Sequence, residues 1–133
     1  MKDRITSDNI TKLSDNEVFV FGSNLIGKHG KGAAKTALKF GAKWGQGAGL
    51  QGMSYGIPTK GTSMKQTLPI DEIKVFVDEF IQFAKQNKNL TFLVTEIGCG
   101  LAGLTPKEVA PLFQEAKDVK NIHLPSKFWH KIK

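Results

Sequence analysis

The residues of this chain best placed to do chemistry are its clustered glycines. Gly22-Ser23-Asn24 and Gly27-Lys28-His29-Gly30-Lys31-Gly32 form one such segment, and Ile97-Gly98-Cys99-Gly100-Leu101-Ala102-Gly103-Leu104 forms another. Glycine lets a backbone approach a phosphate and turn its N–H groups toward it, and a helix starting just beyond adds a favourable field. Two such loops suit a diphosphate. A third cluster, Gly47-x-Gly49-x-x-Gly52, matches the dinucleotide fingerprint as a letter pattern. It precedes a strand where that fingerprint opens a helix, so it reads as a flexible rim. The phosphate loop of nucleotide hydrolases is absent, because no Gly-Lys-Ser/Thr closes a four-residue spacer. No His, Cys and carboxylate spacing supports a metal site, and neither metal nor cofactor is expected.

The apolar pattern supplies the elements that must position these loops. Val18-Phe19-Val20-Phe21 is an unbroken apolar run too short for a helix, which predicts a strand buried on both faces and feeding the first loop. The residues from Ala33 to Phe40 predict a helix able to pack closely on a sheet, with Gly41 as its stop. Trp44 to Gly52 reads as a loop, and Met53-Ser54-Tyr55-Gly56-Ile57-Pro58 as the strand after it. Ile73, Phe76, Val77, Phe80, Ile81 and Ala84 mark one face of a helix started by Pro69 and closed near Asn87-Lys88-Asn89. Leu90 to Thr95 is a second buried strand running into the second glycine loop. Thr105-Pro106-Lys107-Glu108 has the hydroxyl, proline and glutamate of a capping box, so a helix starts there with Val109, Leu112, Phe113 and Ala116 inward. Asn121 to Leu124 is a last short strand, and the lysine-rich end around Trp129 and His130 reads as a solvated tail. Strands alternating with helices over 133 residues predict one α/β domain across residues 1–133, a three-layer α/β/α sandwich with a central mixed sheet. Ligands in such open sheets collect beyond the C-terminal ends of the strands, where both glycine loops lie.

Nineteen Lys and Arg against twelve Asp and Glu give a net charge of +7, which favours phosphates or nucleic acid as partners. No segment approaches the roughly 20 apolar residues that cross a bilayer, and Met1-Lys2-Asp3-Arg4-Ile5 lacks the apolar core of a signal peptide. A cytoplasmic protein without a membrane partner is expected. The single cysteine, Cys99, permits no internal disulfide and fits a reducing compartment; packing is the favoured role for it over reactivity.

At these loops the chain resembles the macrodomain family, in particular the class that removes ADP-ribose from glutamate side chains or, in DarG-type antitoxins, from DNA bases. The resemblance runs from about Asp8 to Phe113. Residues 97–104 look like the family's Ile-Gly-Cys-Gly-Leu loop after a buried strand. Gly30-Lys31-Gly32-Ala33-Ala34 is similar to the Gly-x-Gly opening the first long helix beside the distal ribose, and Ile57-Pro58-Thr59-Lys60 to a strand ending in Thr-Lys. Asp8-Asn9-Ile10-Thr11 is similar to the family's Gly-Asp-Ile/Leu turn, with Ser7 where glycine is usual.

The resemblance implies an ADP-ribose cleft. Asp8 would accept a hydrogen bond from the adenine amino group, Ser23 and Asn24 would face the distal ribose, and the backbone of 98–103 would hold the diphosphate. Asn24 has a plainer reading beside this, the bracing of a turn. The candidate ligand-binding set is Asp8, Ser23, Asn24, His29, Gly30, Gly32, Thr59, Gly98, Cys99, Gly100, Leu101, Ala102 and Gly103. In the glutamate-directed class the lysine of Thr-Lys is the nucleophile toward the anomeric carbon of the distal ribose, so the resemblance makes Lys60 the candidate; such an amine attacks near neutral pH when desolvation or a cation such as Lys28 favours its neutral form. The chain departs from the class at one point: a catalytic aspartate follows Gly-Cys-Gly-Leu there, and here Ala102 does. Glu96 and His29, the latter in an exposed-looking loop, are the residues near enough in sequence to move a proton instead. The expected function is therefore binding of ADP-ribose or an ADP-ribose-derived nucleotide, with hydrolysis of ADP-ribosyl linkages left open as glycohydrolase activity. The expected partners are that nucleotide and ADP-ribosylated protein or nucleic acid. The alternative is a basic nucleic-acid-binding α/β domain without catalysis, using the cleft rim and the Trp129 tail.

Overall fold

The apolar run at 18–21 is unbroken because the strand holding it, β1 (Glu17–Asn24), is covered on both faces. Successive side chains of a strand point to opposite faces. Val18 and Val20 thus enter a large core, while Phe19 and Phe21 enter a smaller one with Ala34 and Ala37. The computed structural model describes residues 4–63 and 65–133; residues 1–3, part of the segment read for a signal sequence, lie outside them. β1 is the middle strand of a five-stranded sheet whose other members are β2 (Gly49–Gln51), β3 (Ser54–Lys60), β4 (Thr91–Val94) and β5 (Ile122–His123). Their order is β2-β3-β1-β4-β5, parallel throughout except for the antiparallel β2–β3 pair.

Helix α1 (Gly32–Ala37), extended by a 3-10 turn to Phe40, covers the smaller core, and Gly41 ends it in the left-handed conformation, φ 98°. The opposite face is covered by α2 (Ile70–Gln86), α3 (Pro106–Val109) with the 3-10 stretch Ala110–Asp118, and α4 (Ser126–Trp129). The chain is a three-layer α/β/α sandwich. α2 buries Ile73, Val77, Phe80, Ile81 and Ala84, the stripe its periodicity predicts. Among the described residues no helix is long and apolar enough to cross a membrane.

Three elements differ from expectation. The loop read from Trp44 to Gly52 contains β2, an edge strand of three residues. The helix opened by Thr105 does have its capping box, but only four residues are α-helical before the chain tightens into 3-10 geometry, with Phe113 at φ −98° and ψ 16°. Pro111 explains the change, because a proline inside an α-helix removes one backbone bond and presses its ring on the carbonyl four residues back. The tail is not solvated: α4 carries Phe128, 0% exposed, into the main core. Trp129 Nε1 donates to the Arg4 carbonyl at 2.8 Å, and the Arg4 guanidinium lies 5.0 Å from the Trp129 ring. That guanidinium also donates to the carbonyls of Ala116, Lys117, Val119 and Ile122, which closes the end of the 3-10 stretch.

Candidate functional site

Because β1, β3 and β4 run parallel, their C-terminal ends open on one edge of the sheet. A cleft of about 370 Å³ lies there. β1 lines it with Gly22, Ser23 and Asn24, β3 with Thr59 and Lys60, and the segment after β4 with Thr95, Glu96, Gly98, Gly100, Leu101 and Ala102. Lys28, Lys31 and the start of α1, Gly32 to Ala34, form the facing wall. A smaller cavity of about 260 Å³ adjoins it, lined by Thr6 to Ile10, Phe19 and Thr36. Ala33, Thr95 and Glu96 belong to both walls. The 6–10 segment arrives there because Ile5 pairs with Leu124 at the edge of the sheet, and the Thr6 N–H donates to the Leu124 carbonyl at 2.9 Å.

The two glycine loops touch. A Cβ at Gly22 would lie 3.3 Å from the Gly98 nitrogen, and one at Gly32 would lie 3.4 Å from Leu101 Cδ1. Gly98 takes φ 76°, where a side chain would be strained and would also press on Leu104. The turn is shaped by the Cys99 N–H on the Glu96 carbonyl at 3.0 Å and the Leu104 N–H on the Gly98 carbonyl at 2.8 Å. Thr67 Oγ1 donates to the Ala102 carbonyl at 2.7 Å and anchors the turn from outside. The N–H groups of Gly98, Gly100, Leu101 and Ala102 have no acceptor among the described residues. The N-cap of α1, Lys31, makes no side-chain cap bond, so the first-turn amides beside the cleft are uncapped as well. The helix after the second loop contributes nothing comparable. Thr105 Oγ1 accepts the Glu108 N–H and the Glu108 carboxylate accepts the Thr105 N–H, which closes that end upon itself.

Ser23, Asn24, Gly32, Thr59, Lys60, Gly98, Gly100, Leu101 and Ala102 thus come together on one wall system, and Asp8 lies in the adjoining cavity. Three of the polar side chains are engaged with the framework. Ser23 Oγ donates to the Gly47 carbonyl, and Asn24 both donates to the Lys28 carbonyl (2.9 Å) and accepts the Lys28 N–H (2.8 Å). Asn24 therefore braces the 24–28 turn, the plainer of its two readings. Thr59 Oγ1 likewise reaches the Ser23 carbonyl at 3.3 Å.

His29, Gly30, Cys99 and Gly103 are not on the cleft wall. The exposed loop expected for His29 is overturned, for the ring is 0% exposed. It packs edge-on against Phe21 at 5.4 Å, and its Nε2 meets the Gln46 carbonyl at 3.0 Å, because the loop folds down under Trp44. The Cys99 side chain packs on the main core with Sγ 3.5 Å from the Ile97 carbonyl. Burial, assisted by the charge of Glu96, pushes its thiol up to about 11. Alkylation of Cys99 by iodoacetamide at pH 8 is accordingly expected to run well below the rate of free cysteine, and to climb only above pH 9 to 10. A rate equal to that of the free amino acid at pH 8 would remove the packing assignment.

Gly49 takes φ 88° with only the Gln46 side chain near it, but Gly47 and Gly52 are no flexible rim. A Cβ at Gly47 would fall 2.1 Å from the Asn24 carbonyl oxygen, and one at Gly52 would fall 2.6 Å from Gly41 Cα. They are close backbone approaches that hold the 45–52 segment against β1 and the end of α1. The candidate set omits Gly22, Lys31 and Thr95, although Gly22 and Lys31 lie within the first glycine segment and Thr95 ends the strand before the second. Compared with known proteins, the chain matches no family model, no curated protein and no solved structure.

Proposed function

We propose that the cleft binds ADP-ribose or a nucleotide derived from it. One observation carries this reading: two glycine turns meet across a cleft, one of them turning four N–H groups without acceptors, with Lys28, Lys31 and Lys60 on the same walls. Backbone amides grouped in this way form a nest for an anion, and the lysines add charge of the right sign. The adjoining cavities suit an elongated ligand. Adenosine would occupy the smaller one beside Asp8, the diphosphate would cross Ala33 and the 98–102 turn, and the distal ribose would lie toward Asn24 and Lys60.

Binding is supported ahead of hydrolysis. Attack by Lys60 on the anomeric carbon requires a partner that moves a proton, and at the position of the family's aspartate Ala102 lines the cleft with a methyl group. The purely nucleic-acid-binding alternative has less support, since the Trp129 ring that would have served it is packed under Arg4. Calorimetric titration of the full chain with ADP-ribose is expected to give a micromolar Kd, about −8 kcal/mol. Affinity should fall only shallowly with salt, in contrast to the steep fall of a phosphate-backbone binder. No heat at millimolar ligand would remove the proposal.

A further inference from the structure

Glu96 is out of keeping with the cleft around it. The other charged groups on the wall are Lys28, Lys31 and Lys60, and among the described residues lining the cleft Glu96 is the only acid. It stands two residues beyond β4 and lines both the cleft and the smaller cavity, whereas Lys60 lines the cleft alone and Asp8 the smaller cavity alone. Its nearest cation, Lys127 Nζ, is 3.8 Å away with a side chain 66% exposed, a loose contact that leaves the carboxylate oxygens available. A carboxylate here repels phosphate and calls for O–H donors. The same cavity holds a second polar group in want of a partner: Thr6 is 3% exposed, and its Oγ1 makes no hydrogen bond. A buried hydroxyl left in that state is destabilising unless a bound molecule meets it.

From these two groups we infer that the smaller cavity is a ribonucleoside subsite in which Glu96 accepts the vicinal hydroxyls of the adenosine ribose and so selects against a 2′-phosphate or a 2′-deoxyribose. The inference rests on the ADP-ribose reading of the cleft. A carboxylate accepts two neighbouring O–H groups with one charge, and the same charge opposes a phosphate ester on either oxygen.

The experiment is calorimetry of the full chain, as wild type and as Glu96→Gln, with ADP-ribose, its 2′-phosphorylated form and its 2′-deoxy form at the adenosine ribose. Wild type is expected to bind ADP-ribose about tenfold or more tightly than either counterpart. Glu96→Gln is expected to bring the 2′-phosphate to within about threefold of ADP-ribose, chiefly by tightening the 2′-phosphate, a gain that mere loosening of the fold does not produce. If ADP-ribose binds but wild type ranks the three ligands equally, or the gap survives in Glu96→Gln, the Glu96 assignment is overturned and the cleft reading stands. If ADP-ribose does not bind wild type at all, both fall.

Discussion

Gly100→Glu is expected to abolish the proposed ADP-ribose binding and to leave the stability of the protein within about 0.5 kcal/mol of wild type. Gly100 is exposed on the cleft wall, its φ is not among the positive ones, and a Cβ built on it meets no atom within 4 Å. The fold therefore accepts a side chain there. The proposed ligand would not, because the carboxylate would stand among the amides of 98–102, where the diphosphate would be held. Two like charges about 4 Å apart at an effective dielectric near 20 repel by about 4 kcal/mol, roughly three orders of magnitude in affinity. Gly100→Ala serves as the control and is expected to bind within a few-fold of wild type, since the added methyl also enters open space. Calorimetry gives the affinities and a thermal melt gives the stability. A Gly100→Glu protein that melts normally and still binds ADP-ribose would place the diphosphate elsewhere.

What could be read from the chain follows from how much of each element's environment is local. β1 was legible because burial on both faces leaves no polar position in its central run, and α2 because five buried residues recur at helical spacing. β2 was not, since three residues at a sheet edge are too few to show alternation. α4 was hidden by its neighbours: Phe128 and Trp129 lie in a lysine-rich stretch, and the partners that bury them, Phe113 and Arg4, are distant in sequence. The 3-10 geometry after Val109 could have been suspected from Pro111, but the apolar spacing of Val109, Leu112, Phe113 and Ala116 satisfies either kind of helix.

The site divides in the same way. That the two glycine loops share one cleft follows from a rule about strand ends, which requires only the order of strands and loops. How individual polar atoms are engaged does not follow from order. Ser23 is tied to a carbonyl 24 residues away, and His29 to one 17 residues away, and no local pattern announces either bond. Gly47 and Gly52 were misjudged for a related reason: glycine in a sequence does not show whether it serves a left-handed turn, a flexible segment or the close approach of another backbone.

Gly47→Ala tests that last distinction and carries the largest expected effect on stability. Its Cβ would lie 2.1 Å from the Asn24 oxygen and 3.1 Å from the Asn24 carbonyl carbon, both backbone atoms of β1 that no rotamer change can move aside. On the other side the Gly47 carbonyl lies where a side chain of Gly56 would be, and it accepts the Ser23 hydroxyl. Forced backbone shifts of this kind cost about 3 kcal/mol, which for a domain of this size lowers Tm by about 10 °C. Gly45→Ala is the comparison: Gly45 has φ 90° but nothing within 4 Å of its Cβ, so only the conformational strain of about 1 kcal/mol is expected. Urea unfolding of the two variants separates crowding from backbone strain. The same displacement reaches the cleft, because Asn24 is the residue pushed, and its side chain holds both the N–H and the carbonyl of Lys28. Gly47→Ala is therefore expected to weaken ADP-ribose binding below its unfolding range while Gly45→Ala does not. Equal stability of the two variants would mean that the 45–48 segment is free to move, and with it the wall that carries Ser23, Asn24 and Lys28.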